Sequence, residues 1–282
     1  MFAETILQDI AELPSPPSVM DKILMLSSGD DVEVDDLVEI VMSDPALATR
    51  FLAIANSPLV NRTGKPVTDA RRAIVALGLR ESRRMLMAHA SAVVDVDDRV
   101  AGYCMEDRAL WRYSISCAVT AAELAAIVGG PFPMDPYLCG LLLDVGKLVL
   151  GPHLSERFDE VMQLATEQGL PFDQAEASVF GMDHAEIGAR AAEHWGLPEA
   201  LVTVIRYHHR PDQAPNHQRL VHLVHMADSF AMTFGEHSGA DGFRYRVMPS
   251  WKDHLTVKKA DMSHILLESQ ERIRHTMEVL HA

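Results

Sequence analysis

Apolar residues recur at every third or fourth position through most of the chain, which is the spacing of one buried face of an α-helix. Runs that alternate apolar and polar residues and are rich in Val, Ile, Thr and aromatic side chains, as strands are, are nearly absent. The pattern therefore predicts an all-α protein. The helices it predicts cover approximately residues 45–56, 69–77, 79–90, 107–128, 134–150, 155–168, 173–180, 184–195, 198–208, 217–234 and 263–280.

Two of these helices carry their own start and stop signals. Asp44 precedes Pro45, so a capping side chain is followed by proline at the first helical position. Thr68 or Asp69 can cap the next helix, and Gly78 is a natural stop for it. We therefore expect short helices joined by tight turns in this part of the chain.

The helical spacing is lost in two places, which divides the chain into three parts. Between residues 95 and 108 the pattern has no period, which indicates a joint near residue 100. Residues 235–250 are predicted to form a loop. The predicted parts are an N-terminal helical subdomain at 1–100, a helical core at 101–235, and a C-terminal loop and helix at 236–282 that pack on the core.

The charge balance narrows the expected partners. The 282 residues include 25 Lys and Arg against 40 Asp and Glu, a formal net charge of −15. Such a charge repels nucleic-acid phosphates and anionic lipid surfaces, so we expect neither nucleic acid nor a membrane as a partner. One dense basic stretch is interpreted as a solvated face, with a dock for an acidic segment or a nucleotide phosphate as the alternative; it contains Arg71, Arg72, Arg80, Arg83 and Arg84.

The cysteines and the apolar segments favour a reduced, intracellular protein. Cys104, Cys117 and Cys139 are odd in number and lack the C-x-x-C spacing, so they are interpreted as packed thiols. The first residues are acidic and show no export signal. The most apolar segments, about 118–128 and 138–150, are shorter than the roughly 20 residues of a membrane helix. We therefore expect a cytoplasmic location.

Candidate chemistry begins in the segment 138–150, where Asp144 and Lys147 lie three positions apart among apolar residues. Isolated buried charges are costly, so each of these groups needs a partner. One interpretation is a structural ion pair at i, i+3. The other is a site in which Asp144 binds a cation and Lys147 binds an anion.

Three later motifs place histidines beside acidic residues. A single histidine is usually a hydrogen-bonded packing residue, so each motif alone is weak and their order carries more information. The motifs are Asp183-His184-Ala-Glu186-Ile-Gly188, Arg206-Tyr-His208-His209 and His225-Met-Ala-Asp228.

This order resembles the HD superfamily of metal-dependent phosphohydrolases: D-x-G-K on an apolar helix, then D-H-A-E-I-G, a His-His pair that closes a helix, and A-D in the following helix. The first half resembles the HDOD family, an HD-related output domain of bacterial signalling proteins. The resemblance implies an HD-like helical bundle with an additional N-terminal helical subdomain. The stretches that carry it are LPSPPSVMDKILML at 13–26, SDPALATRFLAIANSP at 43–58 and VTDARRAIVALGLRESRRM at 67–85.

The resemblance also assigns the candidate site. In the HD superfamily a histidine on a long helix, a His-Asp doublet, and later histidines and an aspartate hold one or two metal ions. Here Tyr113 and Leu143 stand at the long-helix and doublet positions, so two imidazole ligands are lost. The anion-binding candidates are Lys147 and Arg206. The remaining candidate ligands suit one ion of Fe, Zn, Ni or Mn; they are Asp144, His184, His208, His209 and Asp228.

The missing ligands predict a non-catalytic regulatory protein of bacterial signal transduction, a stand-alone HDOD domain that needs no cofactor and binds a signalling protein or a small ligand. The alternative is a divergent phosphohydrolase or phosphodiesterase that uses a residual mononuclear site of Asp144, His184 and His208. In a third interpretation the cluster only locks the helices together. A homodimer stays open.

Overall fold

The structure is a computed structural model that describes residues 33–57, 60–61, 64–79, 82, 100–105, 109–194, 196–234, 239–242 and 247–281. These ranges contain helices and turns and no strand, which confirms the all-α prediction. Three predictions lie outside the described residues: the family-like motif at 13–26, most of the helix at 79–90, and the contribution of Arg80, Arg83 and Arg84 to a basic face.

Of the three N-terminal helices, the second and third follow their sequence signals, while the first was not predicted. They are α1 (Val34–Met42), α2 (Pro45–Asn56) and α3 (Ala70–Leu77). The Asp44 side chain caps α2 by accepting from Leu47 N at 3.0 Å. The Asp69 side chain caps α3 by accepting from Arg72 N at 2.8 Å. Gly78 ends α3 with a φ of 81°, a conformation that glycine adopts readily.

The core and the C-terminal part are built around one long helix, α4, which packs against α5, α10 and α12. Buried side chains lie on nearly every face of α4 because it is covered on several sides. The helices are α4 (Ala109–Val128), α5 (Pro136–Leu142), α6 (Lys147–Glu167), α7 (Phe172–Phe180), α8 (His184–His194), α9 (Glu199–Tyr207), α10 (Gln218–Thr233), α11 (Trp251–His254) and α12 (Lys259–His281). Short 3-10 turns occupy Ala101–Tyr103, Pro211–Gln213 and Gly239–Gly242.

The N-terminal helices and the helical core are joined by direct packing. Helix α2 contacts α5. The indole N–H of Trp111, on α4, donates to the carbonyl of Ser43 at 2.8 Å, beside the start of α2. A buried indole needs such a partner, so this bond fixes α2 against the long helix.

The predicted helix at 134–150 is wrong in one respect, because a turn at 143–146 interrupts it. Leu142 O accepts from Val145 N at 3.2 Å, and Asp144 O accepts from Lys147 N at 2.9 Å. Helix α6 is then assigned as far as Glu167, but Arg157 has non-helical backbone angles (φ −128°, ψ 18°), so a kink lies close to the predicted start of a separate helix at about 155. Apolar side chains are buried on both sides of the turn, so the hydrophobic spacing continues through it.

The helical stretch Pro136–Glu167 is long and apolar enough to cross a membrane, yet 83% of its apolar window is buried inside the fold. That burial is typical of the core helix of a soluble protein. The stretch therefore belongs to the core that surrounds the turn at 143–146.

Candidate metal centre

Four of the five predicted ligand residues come together, with their ligand atoms all within 4.8 Å of one another: Asp144, His184, His208 and His209. They come from the turn before α6, the start of α8 and the end of α9. His184 Nε2 lies 3.4 Å from Asp144 Oδ1 and 2.9 Å from His209 Nε2. His208 Nε2 lies 3.7 Å from Asp144 Oδ1. The group therefore links three separate segments of the core.

A contact between two backbones brings Asp144 to His184. Gly146 lies against the first turn of α8, and a β-carbon on it would collide with the carbonyl of His184 and lie 2.7 Å from Gly188 N. A β-carbon on Gly188 would in turn lie 3.0 Å from Gly146 N. The absence of side chains at these two glycines thus allows the turn and α8 to meet.

Hydrogen bonds on the far side of two imidazole rings turn their Nε2 atoms towards the centre. His184 Nδ1 lies 2.7 Å from a Glu176 carboxylate oxygen, and the same carboxylate accepts from His184 N at 3.0 Å and from the Tyr103 hydroxyl at 2.7 Å. His208 Nδ1 donates to the carbonyl of Ile205 at 2.7 Å. Metal-binding histidines are typically held in this way by a carboxylate or a carbonyl.

The donor atoms fit a single metal ion. Asp144 Oδ1 and His208 Nε2 are buried and have no hydrogen-bond partner among the described residues. A buried polar atom without a partner costs about 1–3 kcal/mol, and a cation between these two would satisfy both. With bonds of about 2.1 Å, the ligands of a tetrahedral ion lie about 3.4 Å apart, close to the spacing found here. Carboxylate with imidazole suits Zn, Fe, Ni or Mn.

Lys147 is bound by carboxylates, which corrects its assignment as an anion-binding residue. Its ammonium lies 2.8 Å from Asp144 Oδ2 and 2.8 Å from Asp241 Oδ2, and its side chain is 0% exposed. The rings of Tyr103 and Tyr113 flank it, with centroids 5.5 and 5.6 Å from Nζ. The predicted ion pair with Asp144 is therefore present, and Asp241 completes it.

Arg206, the other predicted anion-binding residue, also pairs with carboxylates. Its Nε donates to Glu186 at 2.9 Å, and its NH1 donates to Glu193 at 3.0 Å. Both acids lie on α8, so the guanidinium joins α9 to α8. This corrects the prediction, because the carboxylates of Glu186 and Glu193 already pair with the guanidinium within the protein.

Asp228 lies outside the group of four, which corrects its assignment as a ligand of the same ion. The hydroxyl of Tyr113 donates to Asp228 Oδ1 at 2.5 Å. Leu143, at the other lost ligand position, is buried and apolar. The phenol thus hydrogen-bonds to the aspartate that a metal ion would bind in the pattern implied by the resemblance.

A cavity of about 210 Å³ opens beside the centre. It lies between the start of α7, the segment that follows α9, and the turn at Gly239–Gly242. His209 and Asp241 line it, so the cavity reaches the donor group from one side. Its other polar lining includes Asp173, Arg210 and Asp212.

A family model describing the HDOD domain matches residues 13–211 of this chain. The chain belongs to the HDOD family. An uncharacterized curated protein of Treponema pallidum (strain Nichols) is 26% identical over 283 residues, which cover 99% of this chain and 51% of the relative. The HDOD chain therefore spans about half the length of that relative.

Two solved structures share the fold of this HDOD domain. The MmoQ response regulator of Methylococcus capsulatus str. Bath has a TM-score of 0.71 at 22% identity, covering 90% of this chain and 97% of that one. An HDOD domain protein of unknown function from Geobacter sulfurreducens has a TM-score of 0.53 at 26% identity, covering 98% and 97%. These similarities agree with the predicted all-α HDOD architecture.

The charges of the HDOD centre are unevenly distributed among the imidazoles. Burial disfavours a charged ring, but the nearby carboxylates of Glu176, Asp241 and Asp144 outweigh it and raise the pKa of His184 well above its usual value. Burial lowers the pKa of His208 to about 4, and burial with two neighbouring histidines lowers the pKa of His209 well below its usual value. Of the three rings, His184 is therefore the one whose surroundings favour the protonated form, and its Nε2 lies 2.9 Å from His209 Nε2.

Asp173 should destabilise the HDOD domain at neutral pH. Burial and the nearby Asp241 raise the pKa of Asp173 to about 6, so the folded protein holds a proton that the unfolded chain releases from about pH 4 upward. Stability therefore falls as the pH rises between these values, and Asp173→Asn should raise the free energy of unfolding by about 1–3 kcal/mol above them. Urea denaturation at about pH 4 and pH 7.5 measures this, since the gain should vanish at the lower pH.

Asp159→Asn is the matched control, because Asp159 is exposed and lies outside the cavity. It should leave stability nearly unchanged at both pH values. A gain in Asp173→Asn that is equal at both pH values would contradict the explanation by proton uptake.

Sequence reasoning missed two carboxylates of the site. Glu176 lies on α7, where an acidic residue of an amphipathic helix ordinarily indicates the solvent side. Asp241 lies in the predicted loop at 235–250, and only its 3-10 turn brings it to Lys147. His225, by contrast, has a packing role: it donates to the carbonyl of His208 at 2.7 Å and accepts from Met248 N at 2.9 Å. That role fits the default prediction for a lone histidine.

Proposed function

We propose that this HDOD domain is a non-catalytic regulatory module of bacterial signal transduction, which holds at most one metal ion and acts by binding a small ligand or a protein partner. The observation that carries the proposal is the ammonium of Lys147 on Asp144 Oδ2. Hydrolysis by two metal ions requires groups that clamp both ions. Here Asp144 has one oxygen towards the imidazoles and the other bound to a cation that the chain itself supplies.

The pairing of Tyr113 with Asp228 supports the same conclusion. A phenol has an ordinary pKa near 10 and is a poor ligand for a divalent ion at neutral pH. Its hydrogen bond engages Asp228, and Leu143 offers no donor atom. The residues on this side of the centre therefore do not hold a second ion.

A single ion would be held by Asp144, His184, His208 and His209. When bound, it would act as a Lewis acid next to the cavity. It would also crosslink the turn at 143–146 to the start of α8 and the end of α9. The chain's own residues orient these donors: Glu176 fixes His184, and Ile205 O fixes His208. The ion would therefore stabilise the folded protein by an amount that rises with the logarithm of its concentration above the dissociation constant.

The proposal is tested on protein without a histidine tag, by elemental analysis and by assays with a cyclic dinucleotide and with bis(p-nitrophenyl) phosphate. We expect no more than one ion per chain, a higher melting temperature with Zn²⁺, Ni²⁺, Mn²⁺ or Fe²⁺, and no hydrolysis that depends on the metal. Two ions per chain, or hydrolysis that Asp144→Ala abolishes, would contradict the proposal and favour the phosphohydrolase alternative.

Glu176→Gln should weaken metal binding while the fold is kept. Loss of a carboxylate that orients a ligand histidine typically costs about 10–100-fold in metal affinity. Titration of the metal-free protein with Zn²⁺, followed by calorimetry, measures this loss. Glu156→Gln changes an exposed glutamate of α6 in the same way and should bind as the wild type does. Equal affinity in both variants would show that Glu176 does not orient His184 for a metal.

The cytoplasm is the compartment we propose, since the longest apolar helical stretch is buried in the core. The MmoQ relative is a response regulator, which supports a signalling role here. We propose a signalling protein or a small molecule as the partner and, because of the net charge of −15, no nucleic acid.

A further inference from the structure

We propose that the cavity beside the metal centre binds a small organic cation, a primary ammonium group on a short apolar chain, with Asp173 as its main ionic partner. This inference rests on the proposed function, because it names the class of ligand through which a non-catalytic domain would be regulated. The cavity has a volume of about 210 Å³. At about 20–30 Å³ for each non-hydrogen atom, it has room for roughly seven to ten of them.

Asp173 is the group that calls for a ligand. Its residue is 6% exposed, it lines the cavity, and its carboxylate has no hydrogen bond or ion pair with any of the described residues. A buried charge without a partner is strongly unfavourable. A ligand ammonium in the cavity would supply the missing positive charge and N–H donors together.

The charges around Asp173 favour a cation over a phosphate. Asp212 and Asp241 also line the cavity, and of these three carboxylates Asp241 is already paired with the ammonium of Lys147 at 2.8 Å. The guanidinium of Arg210 also lies at the cavity, where its NH2 donates to Asp183 at 2.6 Å while its Nε has no hydrogen-bond partner among the described residues. Since Arg210 is paired with Asp183 and Asp241 with Lys147, the carboxylates of Asp173 and Asp212 are the main charges left at the cavity, and they attract a cation and repel an anion.

The spacing of these carboxylates favours an organic cation over a metal ion. Asp173 and Asp212 do not belong to any group of three or more ligand residues close enough to share one ion within the described parts of the chain. Phe172 and Met248 add apolar wall. Carboxylates that lie apart from one another, beside an apolar wall, suit an alkylammonium ion, whose N–H groups can bind the carboxylates while its alkyl chain contacts the wall.

The experiment measures binding of n-butylammonium and of 1,4-butanediammonium to the full chain by calorimetry at neutral pH. The matched probes are n-butanol, butyrate and inorganic phosphate. We expect saturable binding of the two ammonium compounds only, and at least a tenfold loss of affinity in Asp173→Asn. Asp159→Asn makes the same charge change at an exposed site and should bind as the wild type does. Thermal melts of both variants check that they fold.

Three results would overturn the inference: no saturable ammonium binding, equal binding in Asp173→Asn, or tighter binding of butyrate or phosphate. Metal content and phosphoester hydrolysis are measured on the same samples. One ion per chain without hydrolysis, together with no ammonium binding, contradicts the ligand class alone. Metal-dependent hydrolysis contradicts the proposed function, whatever the ammonium result.

Discussion

Replacing Lys147 by methionine should lower the free energy of unfolding by about 3–5 kcal/mol, because it leaves two carboxylates buried without their cation. Methionine is similar in length and fills most of the same space, so the loss reports the charge. Burial opposes ionisation of Asp144, but Lys147, with His184 and His208, outweighs it and holds the pKa of that carboxyl well below its usual range. Chemical denaturation at neutral pH measures the loss.

Two further measurements test this explanation. A carboxyl with a lowered pKa stabilises the fold above its unfolded value of about 4, so the deficit of Lys147→Met should shrink when the pH falls below that value. Adding Asp241→Asn to Lys147→Met should recover part of the stability, because one uncompensated charge is removed. Lys252→Met, at an exposed lysine of α11, should change stability by about 0.5 kcal/mol or less. Similar losses at both lysines would contradict the role given to the buried pair.

Gly146→Ala should lower the free energy of unfolding by about 3 kcal/mol and abolish tight metal binding. The added methyl group collides with the carbonyl of His184 and lies 2.7 Å from Gly188 N, and both are backbone atoms that cannot swing away. The turn and α8 must therefore separate, which moves Asp144 away from His184. Denaturation together with Zn²⁺ titration measures both effects.

Gly129→Ala is the control for this variant. The added methyl group there has nothing within 4 Å, but the φ of +65° is unfavourable for alanine by about 1–2 kcal/mol. It should therefore lower stability without affecting metal affinity. If Gly146→Ala binds Zn²⁺ as tightly as Gly129→Ala does, the contact between the backbones does not set the distance from Asp144 to His184.

The sequence predicts the helix boundaries that are set by local capping residues, and the meeting of the site residues that follows from the order of the motifs. The cap at Asp69 and the stop at Gly78 bound α3 because both act within one turn of the helix. The order of the motifs predicts that Asp144, His184, His208 and His209 meet, since the family scaffold places them. These predictions depend on nearest neighbours or on the order of the chain.

Other features depend on tertiary contacts that no local pattern records. The turn at 143–146 is hidden because Leu142, Leu143 and Val145 are all buried, so the apolar period continues through it. Asp241 becomes a partner of Lys147 only after the chain returns from α10. The sequence alone favours an ion pair of Lys147 with Asp144 and keeps an anion site as the alternative, and the two carboxylates found on Lys147 support the ion pair.

The ammonium of Lys147 and the hydroxyl of Tyr113 are part of the polypeptide and are in place as soon as it folds. The contacts on this side of the centre therefore need no metal ion, and a chelator should not disrupt them. A metal ion would bind to the imidazoles of a protein that is already folded. Its occupancy could therefore vary with the cellular metal supply while the fold is kept.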